Sequence, residues 1–115
     1  MPVIKVWCLP KQTEAQLREL HKYIVTAVVS VEDLGLKDEG DMTCLFPPDM
    51  MRYGLGEEII VEVSGLLEKP ERTKETRRML AAMLGLGIKE MFPNAHIECF
   101  IYPFDPAQGF WSSRQ

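Results

Sequence analysis

The sequence has 115 residues, of which 46% are hydrophobic and 26% charged, with a formal net charge of −4, the make-up of one folded domain. That acidic balance leaves no basic stripe to neutralise phosphates, which argues against nucleic-acid binding. No apolar run reaches the ~20 residues of a membrane span, and no basic stretch leads into an apolar one at the start, so a cytoplasmic protein is expected.

The chain opens MPVIKV. Val and Ile suit a half-buried pleated surface, and a strand is predicted over 2–8. Proline first in a strand costs no ladder donor. Methionine is normally trimmed before a small residue, and trimming here would leave Pro2 as a secondary amine. A helix follows from Thr13, whose hydroxyl can cap it while Gln16 completes a capping box. Its apolar residues Leu17, Leu20, Ile24, Val28 and Val31 recur at helical spacing. A second strand over 42–46 is stopped by Pro47 and Pro48.

RYGLGEE (52–58) reads as a polar turn, although Arg52 could reach a carboxylate bidentately. IIVEVS (59–64) is a third strand. A second helix over 73–91 turns Leu80, Met83, Leu84, Ile88 and Met91 inward. Its Gly85 and Gly87 each cost up to ~1 kcal/mol against alanine, and mark either a close approach to the sheet or an early end. IECFIY (97–102) is the last central strand.

The two halves repeat. PKQTEAQLREL at 10–20 matches PERTKETRRML at 70–80, pairing Pro10 with Pro70, Thr13 with Thr73, Arg18 with Arg78 and Leu20 with Leu80. LFPPD at 45–49 then echoes IYPFD at 101–105. One domain over 1–115 is expected, built from duplicated units of about 1–56 and 57–115. The fold class is α/β (α+β): tandem β-α-β repeats, giving a four-stranded mixed sheet with two antiparallel helices on one face. The right-handed crossover makes the strands within each unit parallel.

The sheet has two unlike faces. Ile4, Val6 and Cys8, then Ile59, Val61 and Val63, then Ile97, Cys99 and Ile101 form the core under the helices. The opposite parity carries Val3, Lys5, Trp7, Thr43, Leu45, Ile60, Glu62, Glu98, Phe100 and Tyr102. That mixture is too apolar for water and too charged for a monomer core, so another subunit should cover it. The cysteines Cys8, Cys44 and Cys99 are widely separated among apolar neighbours and read as buried thiols. Without C-x-x-C, and with no paired spacing of His21 and His96, no metal site is expected.

The M-P-x-I-x-V start, the tandem β-α-β units, the length and the mixed second face together resemble the tautomerase superfamily. The length and the aromatic ending GFWSS (109–113) are more similar to its macrophage migration inhibitory factor branch than to short 4-oxalocrotonate tautomerase subunits. The resemblance implies a homotrimer and cofactor-independent proton transfer by the Pro2 amine on a small carboxylate-bearing substrate. Such an amine titrates near ~7.7–8.0, and desolvation or nearby cations lower it further, towards the best range for a base at neutral pH.

The same resemblance places Lys37 where the family keeps an active-site lysine, although a lysine there also suits a helix end. Val63 and Ser64 fall where the family lines its pocket and offers a backbone amide. Phe100 and Tyr102 fall where it places a tyrosine and an asparagine from a neighbouring subunit, and Phe100 departs from that pattern because it cannot donate a hydrogen bond. Phe110 and Trp111 would pack across a subunit boundary or wall the pocket. Two other functions share the fold. In one, a dehalogenase or hydratase, Pro2 acts as an acid, and Arg52, Glu57 and Glu58 are the only nearby candidates to handle water. The other is a non-catalytic trimeric binding or signalling module.

Overall fold

A computed structural model describes residues 1–48 and 57–114. Six regular elements follow in order: β1 (Val3–Trp7), α1 (Glu14–Ser30), β2 (Thr43–Leu45), β3 (Glu58–Leu67), α2 (Lys74–Met91) and β4 (His96–Phe104). The strands form one mixed sheet in the order β2-β1-β3-β4. β1 runs parallel to β2, and β3 runs parallel to β4. The two pairs join through antiparallel β1 and β3, with Ile4 opposite Val63 and Val6 opposite Val61. Each β-α-β unit therefore contributes one parallel pair and one helix.

Both helices start where the sequence places a cap. Thr13 Oγ1 accepts from the Gln16 amide at 3.2 Å, and the Gln16 side chain accepts from the Thr13 amide at 2.8 Å. This reciprocal arrangement satisfies two donors that the first turn leaves over. The Thr73 hydroxyl caps α2, accepting from the Thr76 amide at 3.3 Å. Leu20, Ile24, Ala27 and Val28 of α1 and Leu80, Leu84 and Ile88 of α2 are buried with Ile4, Val6, Ile59, Val61 and Val63 of the sheet. Ile97, Cys99 and Ile101 pack half-buried against that core.

Three details differ from the pattern in the sequence. Cys8 lies just beyond β1 with a left-handed φ of 67°, so it closes the strand instead of extending it. Met91 is exposed at the end of α2, which runs unbroken through both glycines. Gly87 serves a close approach to the neighbouring helix: a Cβ on it would overlap the ring of Tyr23. Tyr23 OH completes that crossing by donating to the Met83 carbonyl at 2.6 Å.

The opposite face of the sheet carries Trp7, whose Nε1 donates to Glu62 Oε1 at 2.7 Å across β1 and β3. Phe100 and Tyr102 stack there with ring centroids 6.3 Å apart, and both are exposed. No helix among the described residues is long and apolar enough to cross a membrane.

Candidate active site

The parallel β1–β2 pair and the far end of β3 bring the start of the chain into a recess. Pro2 is buried, and its carbonyl accepts from the Thr43 amide at 3.0 Å. Val3 pairs with Ser64 across β3, after which the β3–β4 register is broken between Val63 and Leu66. Gly65 sits in that break with φ +68°. A Cβ there would lie 3.1 Å from the Met1 carbonyl oxygen and 3.9 Å from Pro2 Cα. Glycine is thus the residue that lets β3 run this close to the N-terminus.

A cavity of about 440 Å³ opens beside Met1 and Pro2, within the usual range for small-molecule sites. Leu36, Leu67 and Phe110 give it apolar wall, while Asp41, Lys69, Arg72 and Arg114 bring charge. A larger cleft of about 580 Å³ runs between α2 and β4 past Ala81, Gly85, Leu86 and Ile97. Its one lysine, Lys89, is committed to the Ala95 carbonyl at 2.6 Å. His96 and Cys99 also line that cleft, but the smaller cavity gathers three cations and a carboxylate beside the N-terminus.

Arg72 is the unusual member. It is only 7% exposed, yet among the described residues no carboxylate forms an ion pair with it. Its Nε and Nη2 donate to the Leu34 carbonyl at 3.2 and 2.7 Å, and its Nη1 donates to the Leu67 carbonyl at 2.7 Å. Those carbonyls fix the guanidinium without neutralising it, and a buried charge is costly unless paired. Arg114 is held more loosely, with Nη1 2.9 Å from the Gly40 carbonyl and Nη2 3.9 Å from Asp41 Oδ1. The Lys37 amide donates to Asp41 Oδ2 at 2.8 Å. That bond, helped by Arg114, holds the Asp41 carboxyl below its usual range.

The Met1 ammonium is pulled below its ordinary value of 8.0, first by desolvation and then by the nearby charges of Arg72, Arg114 and Lys69, against the opposing pull of Asp41. Both effects penalise the protonated form. The site therefore surrounds an amine with conditions that favour its neutral, basic state.

Of the described residues singled out in the sequence, Pro2 and Phe110 line this cavity. Lys37 is exposed, and the cavity is reached by its amide's partner, Asp41. Val63 is fully buried between Ile4 and Ile101, and Ser64 lies opposite Val3. Phe100 and Tyr102 sit on the open face of the sheet. Arg52 lies outside the described residues, while Phe110 does wall the cavity. Lys69, Arg72, Asp41 and Arg114 were not singled out. The one available signal was Arg72 in PERT, where the repeat has the neutral Gln12 of PKQT.

No family model matches the sequence, and no curated protein matches it either. Solved structures do match. A macrophage migration inhibitory factor of Toxoplasma gondii superposes with a TM-score of 0.68 at 19% identity, over 97% of each chain. A fused 4-OT solved as an asymmetric trimer superposes with a TM-score of 0.69 at 14% identity, over 98% of this chain and 94% of that one. The chain has the tautomerase-superfamily fold. A malonate semialdehyde decarboxylase with decarboxylase and hydratase activities shares this tautomerase fold, with a TM-score of 0.65 at 16% identity over 98% and 92% of the two chains. In this chain Pro2, directly before β1, lines the cavity described above.

Proposed function

We propose that the protein is a tautomerase or isomerase in which Met1 is removed and the Pro2 amine is the general base. The observation that carries this reading is that Pro2 lines a cavity together with Arg72, Arg114 and Lys69, where burial and those cations already hold the Met1 amine, one residue before it, below its ordinary pKa. A small enol or 2-oxo acid would place its carboxylate on these cations, with Arg72 offering a fixed and unneutralised guanidinium. The neutral amine takes a proton from the enol oxygen or the α-carbon, and the same ammonium returns a proton to the other atom. Proton count and electron count balance within the substrate and Pro2, so the step needs no further cofactor. The pyrrolidine ring fixes the direction of the nitrogen, which lowers the cost of ordering the base.

The mixed outer face of the sheet, with Trp7, Phe100 and Tyr102 on it, supports assembly into a homotrimer, as does the trimeric fused 4-OT of the same fold. In that assembly Phe100 and Tyr102 would reach a neighbouring cavity.

One observation favours a second reading. Asp41 lies in the same cavity as the amine, ionised and held by the Lys37 amide, and the malonate semialdehyde decarboxylase of this fold has hydratase activity. Water addition would use Asp41 to take a proton from water, with protonated Pro2 supplying the proton to carbon.

The test is an assay of enol-acid ketonisation, followed by loss of enol absorbance, with the protein expressed without a tag. Pro2→Ala should remove most of the rate and Asp41→Asn should leave it largely in place. Loss of rate with Asp41→Asn but not with Pro2→Ala would reject the Pro2-base reading.

A further inference from the structure

The cavity holds two kinds of cation. Arg72 is locked by three hydrogen bonds to the Leu34 and Leu67 carbonyls and is nearly inaccessible. Arg114 arrives on a separate segment, residues 109–114, which turns at Gly109 with φ +125° and folds back over the start of the chain. Phe110 of that segment packs on Phe104 with ring centroids 6.5 Å apart, and Ser112 Oγ accepts from the Arg114 amide at 3.0 Å. The Arg114 guanidinium then meets the turn that contains Gly40 and Asp41. The two arginines are therefore anchored on different walls of one cavity.

Charge and exposure give these placements meaning. Three cations, Lys69, Arg72 and Arg114, line the cavity with one carboxylate, Asp41. Among the lining side chains the cations thus exceed the carboxylate by two charges. A monoanionic ligand would answer one of them, and a dianion would answer both. The Arg114 and Asp41 side chains are 62% and 30% exposed at a separation of 3.9 Å, and an ion pair of that kind is worth about 0–1 kcal/mol. Arg114 can leave it at little cost for a better-placed carboxylate, which a bidentate guanidinium holds more strongly. Arg72 cannot make such an exchange without stranding two buried carbonyls.

We propose that Arg114 is a specificity-determining residue of this cavity, selecting small acids that carry two anionic groups. The proposal rests on the reading of the cavity as the substrate site. Lys69 takes the carboxylate nearer the amine, with the fixed charge of Arg72 behind it, and Arg114 moves from Asp41 to the second one. The segment that carries Arg114 closes with it, so Phe110 covers the apolar middle of the bound acid.

Calorimetric titration with succinate and with butyrate tests this without requiring turnover, because butyrate replaces one carboxylate of succinate by a methyl group. At about pH 7.5 both carboxylates of succinate are ionised. The wild type should bind succinate ~10-fold or more tightly than butyrate, the gain of one charge-assisted pair. Arg114→Gln should bring succinate down to the level of butyrate and leave butyrate unchanged, and Arg114→Lys should restore part of the preference. A succinate preference that survives in Arg114→Gln, or a wild type that binds both acids equally, overturns the proposal and leaves the carboxylate site standing. A wild type that binds neither acid overturns both the proposal and the reading of the site.

Discussion

Gly65 and Met1 meet backbone to backbone, with the position of a Cβ on Gly65 only 3.1 Å from the Met1 carbonyl oxygen. The left-handed φ of +68° at Gly65 falls in the break of the β3–β4 register, beside the start of the chain. A side chain there meets both a strained backbone and an occupied space. Gly65→Ala should therefore lower stability by about 1–2 kcal/mol, read as a lower urea midpoint. It should also displace the N-terminus from its desolvated position and let the amine pKa rise towards 8.0.

The amine and Arg72 give a pH dependence with a defined sign. The folded-state pKa of the Met1 amine lies below the ordinary 8.0, by desolvation first and Arg72 next, and a Pro2 amine left by trimming is expected to shift in the same direction beside the same groups. Between that lowered value and 8.0 the unfolded chain holds more protons than the folded one, so this group makes stability rise with pH over the window. Its contribution is fully present above 8.0 and is lost as pH falls through the folded-state value. Activity that needs the neutral amine should rise with pH along the same limb, with a midpoint below 8.0. Arg72→Gln should move that midpoint upward, and a pH–rate profile for both proteins checks it.

Gly87 and Tyr23 set the distance between the helices. Gly87→Ala places a methyl group inside the Tyr23 ring, and overpacking of this kind costs about 1–3 kcal/mol. In a Tyr23→Ala background the same substitution should cost much less, since the obstructing ring is gone. A double-mutant cycle by chemical denaturation measures the difference, and additive effects would show that the two residues do not meet.

Burial pushes the Cys44 thiol up to about 11 and the Cys99 thiol up to about 12. Thiolate is the reactive form, so both should resist a thiol reagent near pH 8 in the native protein. Unfolding should expose them, and mass spectrometry after timed labelling distinguishes the sites.

Local rules exposed much of the frame and little of the site. The capping box of Thr13 and Gln16 and the alternation of Ile59, Val61 and Val63 are short-range patterns, and both elements stand where those patterns put them. Gly87 reads in the sequence as a close approach to the sheet or an early helix end, and the structure corrects both: α2 is unbroken and the close approach is to Tyr23 of the other helix, a partner that no local pattern marks. The charged wall of the cavity depends on longer-range meetings. Arg72 is fixed by the Leu34 carbonyl, 38 residues earlier, and Arg114 by the Gly40 carbonyl, 74 residues earlier. A backbone carbonyl leaves no mark in the sequence, so PERT reads there as no more than a helix start.

The most direct test of the central claim is a pH titration of the protein labelled with ¹⁵N-proline, expressed without a tag and observed by nitrogen NMR. The account requires one proline nitrogen to titrate as a secondary amine with a midpoint below 8.0, showing that Met1 is gone and that Pro2 is neutral enough to act as a base. A spectrum in which every proline nitrogen is an amide, or in which the amine titrates above 8.0, would contradict it.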